Sequence, residues 1–292
     1  MGTTTKSAAA ASWDAPASQL LQVTTGFDLA AFDRGSTPGW SAGKSAAKEH
    51  MKARGKELSE LQERLFADGK SGGTRSILLL LQGMDTAGKG GIVRHVIGMV
   101  DPQGVALASF GVPTEQEKEH HHLWRIERKL PAPGKIGVFD RSHYEQVLVV
   151  KVDELEPPEL NATRYQELID FDRGVADGGT TIIKVALLVS HAEQGTRLAD
   201  RLDRPDKWWK YNPGDIDVRQ NWNAYQDAYA QMLARTSVTH APWYAVPADN
   251  KWYARLAVTE LLFEALTAMK LGWPPADFDV EIEKQRLAAT AS

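Results

Sequence analysis

A glycine-rich segment places a lysine and an aspartate where both could act on a phosphate. Residues 83–89 fit the pattern G-x-x-x-x-G-K of a Walker A loop, directly after an apolar run and before a helical segment. Such a loop turns backbone N–H groups inward, and the following helix adds its positive end. Lys89 would then reach a transferred phosphoryl group. The pattern predicts a phosphate cradle; the alternative is a glycine-rich turn that only joins a strand to a helix.

Two aspartates are the candidate metal ligands. The pattern normally continues with Ser or Thr, whose hydroxyl binds Mg²⁺, but Gly90 stands there. Asp85 lies inside the loop and would repel phosphate unless a cation separated them. Asp140 ends a second apolar run, and ligands collect at the carboxyl edge of such strands. We therefore expect Asp85 and Asp140 to share Mg²⁺, with Mn²⁺ as an alternative.

The candidate catalytic residues are Asp85, Lys89, Asp140 and Arg141. Arg141 would neutralise charge on the phosphoryl group during transfer. The alternative is that Asp140 caps the next helix and pairs with Arg141. The remaining candidate phosphate-binding residues are Gly83, Met84, Thr86, Ala87, Gly88, Gly90, Gly91 and Arg94.

No side chain in these segments has the surroundings of a covalent nucleophile. His120, His121 and His122 are consecutive and fall within a predicted helix. Consecutive helical residues point in different directions, so their spacing does not predict a metal site. Direct in-line phosphoryl transfer needs only positioning and charge neutralisation, which the loop and Asp140-Arg141 supply.

A cluster of basic residues follows the fourth apolar run. It consists of Arg197, Arg201, Arg204, Lys207 and Lys210, interleaved with Trp208, Trp209 and Tyr211. The pattern is typical of a lid over phosphates, with residues 203–217 as either a mobile flap or a packed surface loop. Nucleic acid is a weaker interpretation because the net charge is -4. A surface helix with salt bridges to nearby acids is the remaining alternative.

The composition is that of a globular protein without extracellular or membrane signatures. The 292 residues are 42% hydrophobic and 25% charged, and none is cysteine. Disulfides and cysteine chemistry are therefore excluded, which fits a reducing cytoplasm. The N-terminus lacks the apolar core of a signal peptide, and the longest apolar run, residues 77–81, is too short to span a bilayer.

Apolar runs alternate with helical segments along most of the chain. The runs cover residues 76–81, 105–110, 136–139, 180–189 and 243–246, and the helical segments cover residues 90–99, 116–129, 142–149, 192–202 and 251–270. This order predicts an α/β P-loop kinase fold, a parallel sheet of about five strands covered by helices on both faces. A helical lid would lie over its carboxyl edge.

The rest of the chain flanks this predicted kinase domain of residues 75–273. We expect disorder over residues 1–18, an N-terminal extension over 19–74 and a C-terminal tail over 274–292. Within the extension, leucines at helical spacing in residues 45–70 predict an amphipathic helix. That helix packs either on the core or on a partner subunit.

Taken together, these motifs resemble the polyphosphate kinase 2 family. The matching segments are the loop with Arg94, residues 140–144, Arg197 and Arg201 with Trp209-Lys210, residues 239–243 and residues 249–251. The resemblance runs from about residue 45 to 273. It implies a thymidylate-kinase-like fold with a lid, and reversible Mg²⁺-dependent phosphoryl transfer between inorganic polyphosphate and a nucleotide. Arg201, Lys207 and Lys210 fall where the family contacts polyphosphate.

The resemblance also implies which nucleotides are used. Tyr144, Glu145 and Arg125 are the candidate nucleotide-binding residues. Many members have asparagine at the position of Glu145, and the glutamate resembles the subgroup that phosphorylates both mono- and diphosphates, here adenine or guanine nucleotides. Ser190-His191 departs from the family's usual serine-lysine and removes one cation.

Three functions remain as hypotheses. The first is a polyphosphate:AMP/ADP phosphotransferase, and the second is an ATP-dependent nucleotide or small-molecule kinase. The third is a non-catalytic regulator that binds polyphosphate or nucleotide. We expect a homo-oligomer, a dimer or tetramer, with no nucleic-acid or membrane partner.

Overall fold

The computed structural model describes residues 12–290. Within them, five strands form one parallel sheet in the order β2-β3-β1-β4-β5. The strands are Ser76–Gln82 (β1), Val105–Ser109 (β2), Ile136–Asp140 (β3), Thr180–Leu188 (β4) and Trp243–Pro247 (β5). The α-helices are Ala17–Leu21 (α1), Gly43–Lys70 (α2), Lys89–His95 (α3), Glu115–Lys118 (α4), Trp124–Glu127 (α5), Val149–Val152 (α6), Pro158–Asp177 (α7), His191–Asp203 (α8), Gly214–Gln220 (α9), Trp222–Thr236 (α10), Lys251–Ala268 (α11) and Val280–Ala288 (α12). Short 3₁₀ helices cover Ile97–Met99, Pro102–Gly104, His143–Val147 and Pro205–Lys210.

The central strand β1 explains why its sequence is continuously apolar. All seven of its residues are buried, because β3 pairs on one side, β4 on the other, and helices cover both faces. Alternate residues serve different layers: Leu79 and Leu81 pack with α2 and α11, and Leu78 and Leu80 pack with α7 and α10. The predicted α/β parallel sheet with helices on both faces is confirmed.

Strand β2 departs from the expected burial on both faces. It lies at the edge of the sheet and pairs only with β3 in the described part of the chain. Leu107 is 58% exposed, because helices do not cover that face of the edge strand. The apolar run therefore predicted the strand correctly. It did not predict that one face of the strand would be exposed.

The N-terminal extension is part of the core. Leu58 and Leu65 of α2 are fully buried, and Glu260 of α11 accepts hydrogen bonds from His50 Nε2 at 2.7 Å and Arg54 Nε at 2.9 Å. These contacts use the apolar stripe of α2 within the chain, which favours core packing over a subunit interface as its role.

Order begins earlier than expected. The prediction of disorder up to residue 18 is wrong for residues 12–18. Trp13 packs against Trp40 and Tyr253, Ala17 is buried in α1, and the Glu264 carboxylate accepts from the N–H groups of Ala17 and Ser18 at 2.6 and 3.1 Å. The carboxylate thereby satisfies two amides that a helix N-terminus leaves free. The remainder of that prediction, for residues 1–11, lies outside the described residues.

Two helix predictions need correction. The single helix expected over residues 116–129 is two short helices, α4 and α5, with the histidines in the turn between them. α4 buries no residue, so only α5, through Ile126, is fixed against the core. α7 was not predicted; it begins at Pro158, and proline is tolerated at the first turn of a helix. Within residues 12–290, no helix is both long and apolar enough to cross a membrane.

Candidate active site

The glycine-rich loop connects β1 to α3 and is held in a strained conformation. Gly83 has no room for a side chain, since a Cβ would lie 2.8 Å from the Leu187 carbonyl oxygen. Gly88 has φ 114° and Thr86 has φ 68°, which is costly for a β-branched residue. Strain of this kind persists only where the surroundings impose it.

This conformation leaves several backbone donors available. Within residues 12–290, the N–H groups of Thr86, Gly88, Lys89 and Gly90 donate to no backbone acceptor. The space beside Gly90 is open, since a Cβ built there meets nothing within 4 Å. Free amides around an open space at a helix start form a binding site for phosphate oxygens.

Lys89 folds back over the loop that it follows. Its Nζ donates to the Gly83 carbonyl at 2.6 Å. Burial lowers the pKa of Lys89, and the nearby Asp85 partly offsets that effect. A phosphate would restore the favourable environment of the ammonium, so Lys89 is poised to exchange a carbonyl for an anion.

A cavity of about 700 Å³ opens at the carboxyl edge of the sheet, in front of this loop. Ten lysine and arginine residues and four aspartates line it in the described part of the chain. The predicted residues among them are Asp85, Thr86, Ala87, Gly88, Lys89, Gly90, Gly91, Arg94, Asp140, Arg141, Arg197, Arg201, Arg204, Lys207 and Lys210. The surplus of cations makes this cavity basic in a chain whose net charge is -4.

Gly83 and Met84 do not line the cavity, contrary to expectation. The Gly83 carbonyl holds Lys89, and Met84 is buried, with its Sδ 3.3 Å from Gln226 Nε2. Both residues therefore shape the loop from behind, because β1 directs this first part of the loop into the core.

The acidic residues of the cavity lie beside Arg141. Arg141, at φ 66°, extends Nη2 to within 3.1 Å of Asp85 Oδ1 and Nη1 to within 3.6 Å of Glu145 Oε2. These two carboxylates raise the pKa of Arg141 despite its burial. Asp140 and Asp215 line the same cavity. Carboxylates beside a phosphate cradle are the donors that Mg²⁺ or Mn²⁺ uses together with substrate phosphates, so the residues present fit the metal.

Arg197 supports the loop and has no donor left for a ligand. Its Nε donates to Glu193 at 2.7 Å, and its Nη1 donates to the carbonyls of Thr86 and Ala87 at 2.8 and 3.4 Å. Its Nη2 donates to the carbonyls of Ala248 and Asp249 at 2.6 and 2.8 Å. All five guanidinium N–H groups are thus used. Its assignment as a polyphosphate contact is corrected to that of a loop support.

The predicted lid is a short folded segment over the cavity. Residues 205–220 form a 3₁₀ helix followed by α9, and Arg201 reaches from α8 to the Lys210 carbonyl at 3.2 Å and to Asp215 at 3.3 Å. The rings of Trp208 and Trp209 are 58% and 78% exposed, so the segment is not packed as core. Its movement over the site stays a prediction.

Tyr144 is buried away from the cavity and is not placed to contact a nucleotide. Its hydroxyl donates to Asp172 Oδ2 at 2.7 Å, and Lys184 Nζ donates to the same hydroxyl at 2.7 Å and to Asp172 at 2.9 Å. His143 Nε2 is 3.0 Å from Asp172 Oδ1. This network fixes the segment that follows Asp140-Arg141 and gives Tyr144 a positioning role.

The other two nucleotide-binding candidates lie near the same edge but outside the lining of the basic cavity. Glu145 accepts from Gln82 Nε2 at 3.0 Å and faces Arg141. Arg125 donates to the Gly111 carbonyl at 3.0 Å and packs over Phe110 at the end of β2. Glu145 is therefore coupled to the reaction centre through Arg141, and Arg125 belongs to the neighbouring loop.

Several residues of the site were not among the predicted ones. Lys251 and Arg255, at the start of α11, and His95, at the end of α3, line the cavity. The spacing of four between Lys251 and Arg255 could have shown that they share a helix face. Gln194 was also missed; its Nε2 donates to the Asp85 carbonyl at 3.3 Å.

The histidine run lies close to the carboxylate of Glu167, which the spacing of the histidines did not predict. His121, His122 and Glu167 place ligand-type atoms within 4.8 Å of one another. Glu167, however, already binds Arg164 Nη1 at 2.8 Å, and His122 Nε2 lies 2.7 Å from the same carboxylate. We therefore describe this cluster as an ion-pair network outside the active site.

Comparison with known proteins gives the family. The family model for polyphosphate kinase 2 (PPK2) matches residues 41–272. A Meiothermus ruber relative named AMP/ADP-polyphosphate phosphotransferase is 43% identical over 248 residues, covering 85% of this chain and 91% of the relative. A Rhodopseudomonas palustris relative named ADP-polyphosphate phosphotransferase is 39% identical over 244 residues, covering 78% and 83%.

Solved structures agree with the family model. The structure of polyphosphate kinase 2 from Arthrobacter aurescens TC1 superposes with a TM-score of 0.92 at 48% identity and covers 96% of this chain and 100% of that one. A structure from Pseudomonas aeruginosa, described as a polyphosphate kinase 2, gives a TM-score of 0.75 at 31% identity, over 82% of this chain and 50% of that one. With its glycine-rich loop and its basic cavity, which Asp85 and Asp140 also line, this chain belongs to the polyphosphate kinase 2 family.

Proposed function

We propose that this protein catalyses the reversible transfer of a terminal phosphoryl group from inorganic polyphosphate to AMP and ADP. The observation that carries the proposal is the basic cavity in front of the loop, with ten lysine and arginine residues on a chain of net charge -4. A single nucleotide needs fewer cations than this, whereas a chain of phosphates can use most of those that have donors free. The names of the relatives from Meiothermus ruber and Rhodopseudomonas palustris support the same donor and acceptors.

The residues of the site act by position and charge. Loop amides and Lys89 bind the phosphoryl chain, and Arg141 stabilises the negative charge that shifts onto the transferred group and its leaving oxygen. A nucleotide phosphate oxygen attacks in line, so no residue needs to become phosphorylated. Thr86, held at φ 68°, and Arg141, held at φ 66°, show that both sides of the site are preorganised.

Asp85 and Asp140 would hold the metal, Mg²⁺ or Mn²⁺. The ion supplies charge neutralisation for the phosphates when it is bound. Asp215 adds a third carboxylate to the same cavity, and proximity to Asp85 contributes, after burial, to raising the pKa of Asp215. Turnover is therefore expected to stop when divalent cations are chelated and to return when Mg²⁺ or Mn²⁺ is added.

The acceptor range is a finer part of this proposal. Glu145 faces Arg141 and, as in the resembled subgroup, would favour use of both mono- and diphosphates. Adenine and guanine nucleotides are both proposed as acceptors. The cytoplasmic location expected from the absence of cysteine stays a prediction.

A donor assay tests the function directly. The enzyme is incubated with polyphosphate as sole donor, Mg²⁺, and AMP or ADP, and the ATP formed is measured. Absence of ATP, together with phosphorylation when ATP replaces polyphosphate, would favour the ATP-dependent kinase. Binding of polyphosphate without turnover under either condition would favour the non-catalytic regulator.

The proposal also includes self-association of the protein. Trp273, Phe278, Ile282 and Leu287 are apolar and 53–72% exposed near the C-terminal end of the described residues. Exposed apolar groups of this density are typical of an interface. A dimer or tetramer is expected, and sedimentation velocity would measure it.

A further inference from the structure

A second cavity adjoins the active site. It has a volume of about 710 Å³ and lies between α2 and the start of α11. It shares three lining residues with the catalytic cavity, His95, Lys251 and Arg255, so the two spaces meet at this wall. We call the second space the α2 groove. A ligand that leaves the catalytic cavity past Arg255 enters it.

The first turns of α2 give this groove a row of positive charges. Lys44, Lys48 and Lys52 all line it and are four residues apart, so they share one face of the helix. The row spans about 12 Å along the helix axis. Within residues 12–290, none of the three lies within ion-pair distance of a carboxylate, whereas Arg54 and Arg64 further along α2 both do. The lysines thus remain available for an anion.

The acidic residues of the groove are already engaged. Glu193 Oε1 accepts from Arg197 Nε at 2.7 Å, and Asp249 Oδ1 accepts from the Ser190 N–H at 2.7 Å. The positive charge of Lys251 and Arg255 therefore continues that of the lysine row. Glu193 and Asp249 lie on the wall of this track with their cited oxygens bonded to other protein groups, and lysine and arginine outnumber the acids from the phosphate loop to the N-terminal part of α2.

From this geometry we infer that the α2 groove binds the distal part of the polyphosphate donor, the units beyond those in the catalytic cavity. The inference rests on the proposed function. Compact ammonium groups on flexible stems suit a flexible chain of repeated anions, since each binds a phosphate as a point charge without fixed geometry. Met51, Met99 and Trp252, the apolar residues of the lining, pack against the hydrophobic core as its floor. The groove would thus make the enzyme prefer long chains.

Chain-length dependence tests the groove separately from catalysis. The variant Lys44→Gln/Lys48→Gln/Lys52→Gln is compared with Lys56→Gln/Lys70→Gln/Lys129→Gln, which removes the same charge at exposed positions outside the groove. We expect the groove variant to raise KM for long-chain polyphosphate on the order of tenfold, from three modest charge contacts. KM for short-chain polyphosphate should change far less, and the control variant should match the wild type for both donors.

Two further readouts keep the outcomes distinct. The dependence of long-chain KM on salt should be shallower in the groove variant, because fewer charge contacts remain to be screened. Direct binding of long-chain polyphosphate should weaken in parallel, and this measurement does not require turnover. If polyphosphate proved not to be a donor, the proposed function would fail, and the binding comparison would still test the groove.

Three results would overturn the inference. They are an unchanged long-chain KM with unchanged binding in the groove variant, an equal rise of KM for short and long chains, and an equal effect in the control variant. A rise of KM for AMP or ADP alone would assign the groove to the nucleotide and would also contradict it.

Discussion

Lys89 and Asp85 are the residues that we propose to act on the phosphates, one through its positive charge and the other through a bound metal ion. Lys89 Nζ holds the Gly83 carbonyl until an anion replaces it, and Asp85 pairs with Arg141. Replacing Lys89 with Ala, or Asp85 with Asn, removes one charge that acts in the transition state, so we expect kcat to fall on the order of 10²- to 10³-fold. Thermal unfolding of the same variants serves as the folding control. Rates like those of the wild type would refute the assignment.

Arg197 offers a different prediction, because it contacts the loop and not the substrate. Lysine keeps the charge but cannot bind four carbonyls and Glu193 at once, so Arg197→Lys should destabilise the protein by about 1–3 kcal/mol. The loosened loop should also lower kcat. Lys210→Gln, an exposed lid residue, is the matched control; it should raise KM for polyphosphate and leave stability unchanged. Equal stability of Arg197→Lys and the wild type would contradict the support role.

Glu145 is the residue that we propose to influence the choice between the two acceptors. It lies next to Arg141, and the resemblance to the subgroup that uses both leads us to expect that Glu145→Asn lowers the kcat/KM for AMP more than that for ADP. Glu145→Gln keeps the length of the side chain and separates the effect of charge from that of shape. An equal loss on AMP and ADP would count against a role in acceptor choice.

Sequence reasoning at this scale grouped the candidate catalytic residues but did not identify the residues that hold them in place. Asp85, Lys89, Asp140 and Arg141 stand at fixed offsets from strand ends, and those offsets brought them to one cavity. The partners of Arg197 come from residues about 50 and 110 positions away, so helix spacing could suggest a lid contact but not five protein acceptors. Tyr144 shows the same limit, since proximity to a motif does not give the direction of a side chain.

Among the elements, α7 is tied to the site by charges inside the protein. Asp172 of α7 accepts from Lys184 of β4 and from Tyr144, and all three are buried. Asp172→Asn would leave Lys184 uncompensated, and we expect a loss of about 3–5 kcal/mol in the free energy of unfolding, measured with urea. The double variant Asp172→Leu/Lys184→Met should recover much of this loss. A single variant as stable as the wild type would contradict the pairing.

The same carboxylate predicts a pH dependence of stability. Burial alone would raise the pKa of Asp172, but Lys184 and His143 outweigh it and hold that pKa well below its ordinary 3.8. A carboxyl with a lowered pKa stabilises the fold above the pKa of the unfolded chain. We therefore expect its contribution to be complete at neutral pH and to be lost as the pH falls below 3.8. Urea unfolding across this range should show a smaller pH slope in Asp172→Asn, and an unchanged slope would contradict it.

Prediction from sequence worked well for elements with a strong pattern. The apolar runs marked all five strands of the described sheet; burial on both faces explains the continuous run of β1, whereas the edge strand β2 is apolar although one face is exposed. α7 was missed altogether, and the buried ion pair between its Asp172 and Lys184 of β4 was not predicted either. A buried partner from a distant element leaves no periodic signal in the sequence.

At the scale of the whole molecule, the C-terminal helix is weakly integrated into the described fold. α12 buries no residue, whereas α2 and α11 pack face to face in the core. Ending the chain after Pro275 should shift the midpoint of thermal unfolding by less than about 2 °C, because only exposed groups are removed. If exposed apolar groups such as Phe278 and Ile282 form the subunit contact, sedimentation should show smaller particles. A large fall in the unfolding midpoint of the monomer would show that α12 stabilises the fold itself.

The contacts that Arg197 makes with the loop predict which positions can change among members of the family. Its partners at Thr86, Ala87, Ala248 and Asp249 are main-chain carbonyls, which any residue at those positions would also provide. The side chains at those four positions could therefore change during evolution, and arginine would still be required at position 197. We expect Arg197 to be retained among relatives whose surrounding residues differ, and to show little covariation with them. An alignment that showed paired substitutions at these positions would contradict this expectation.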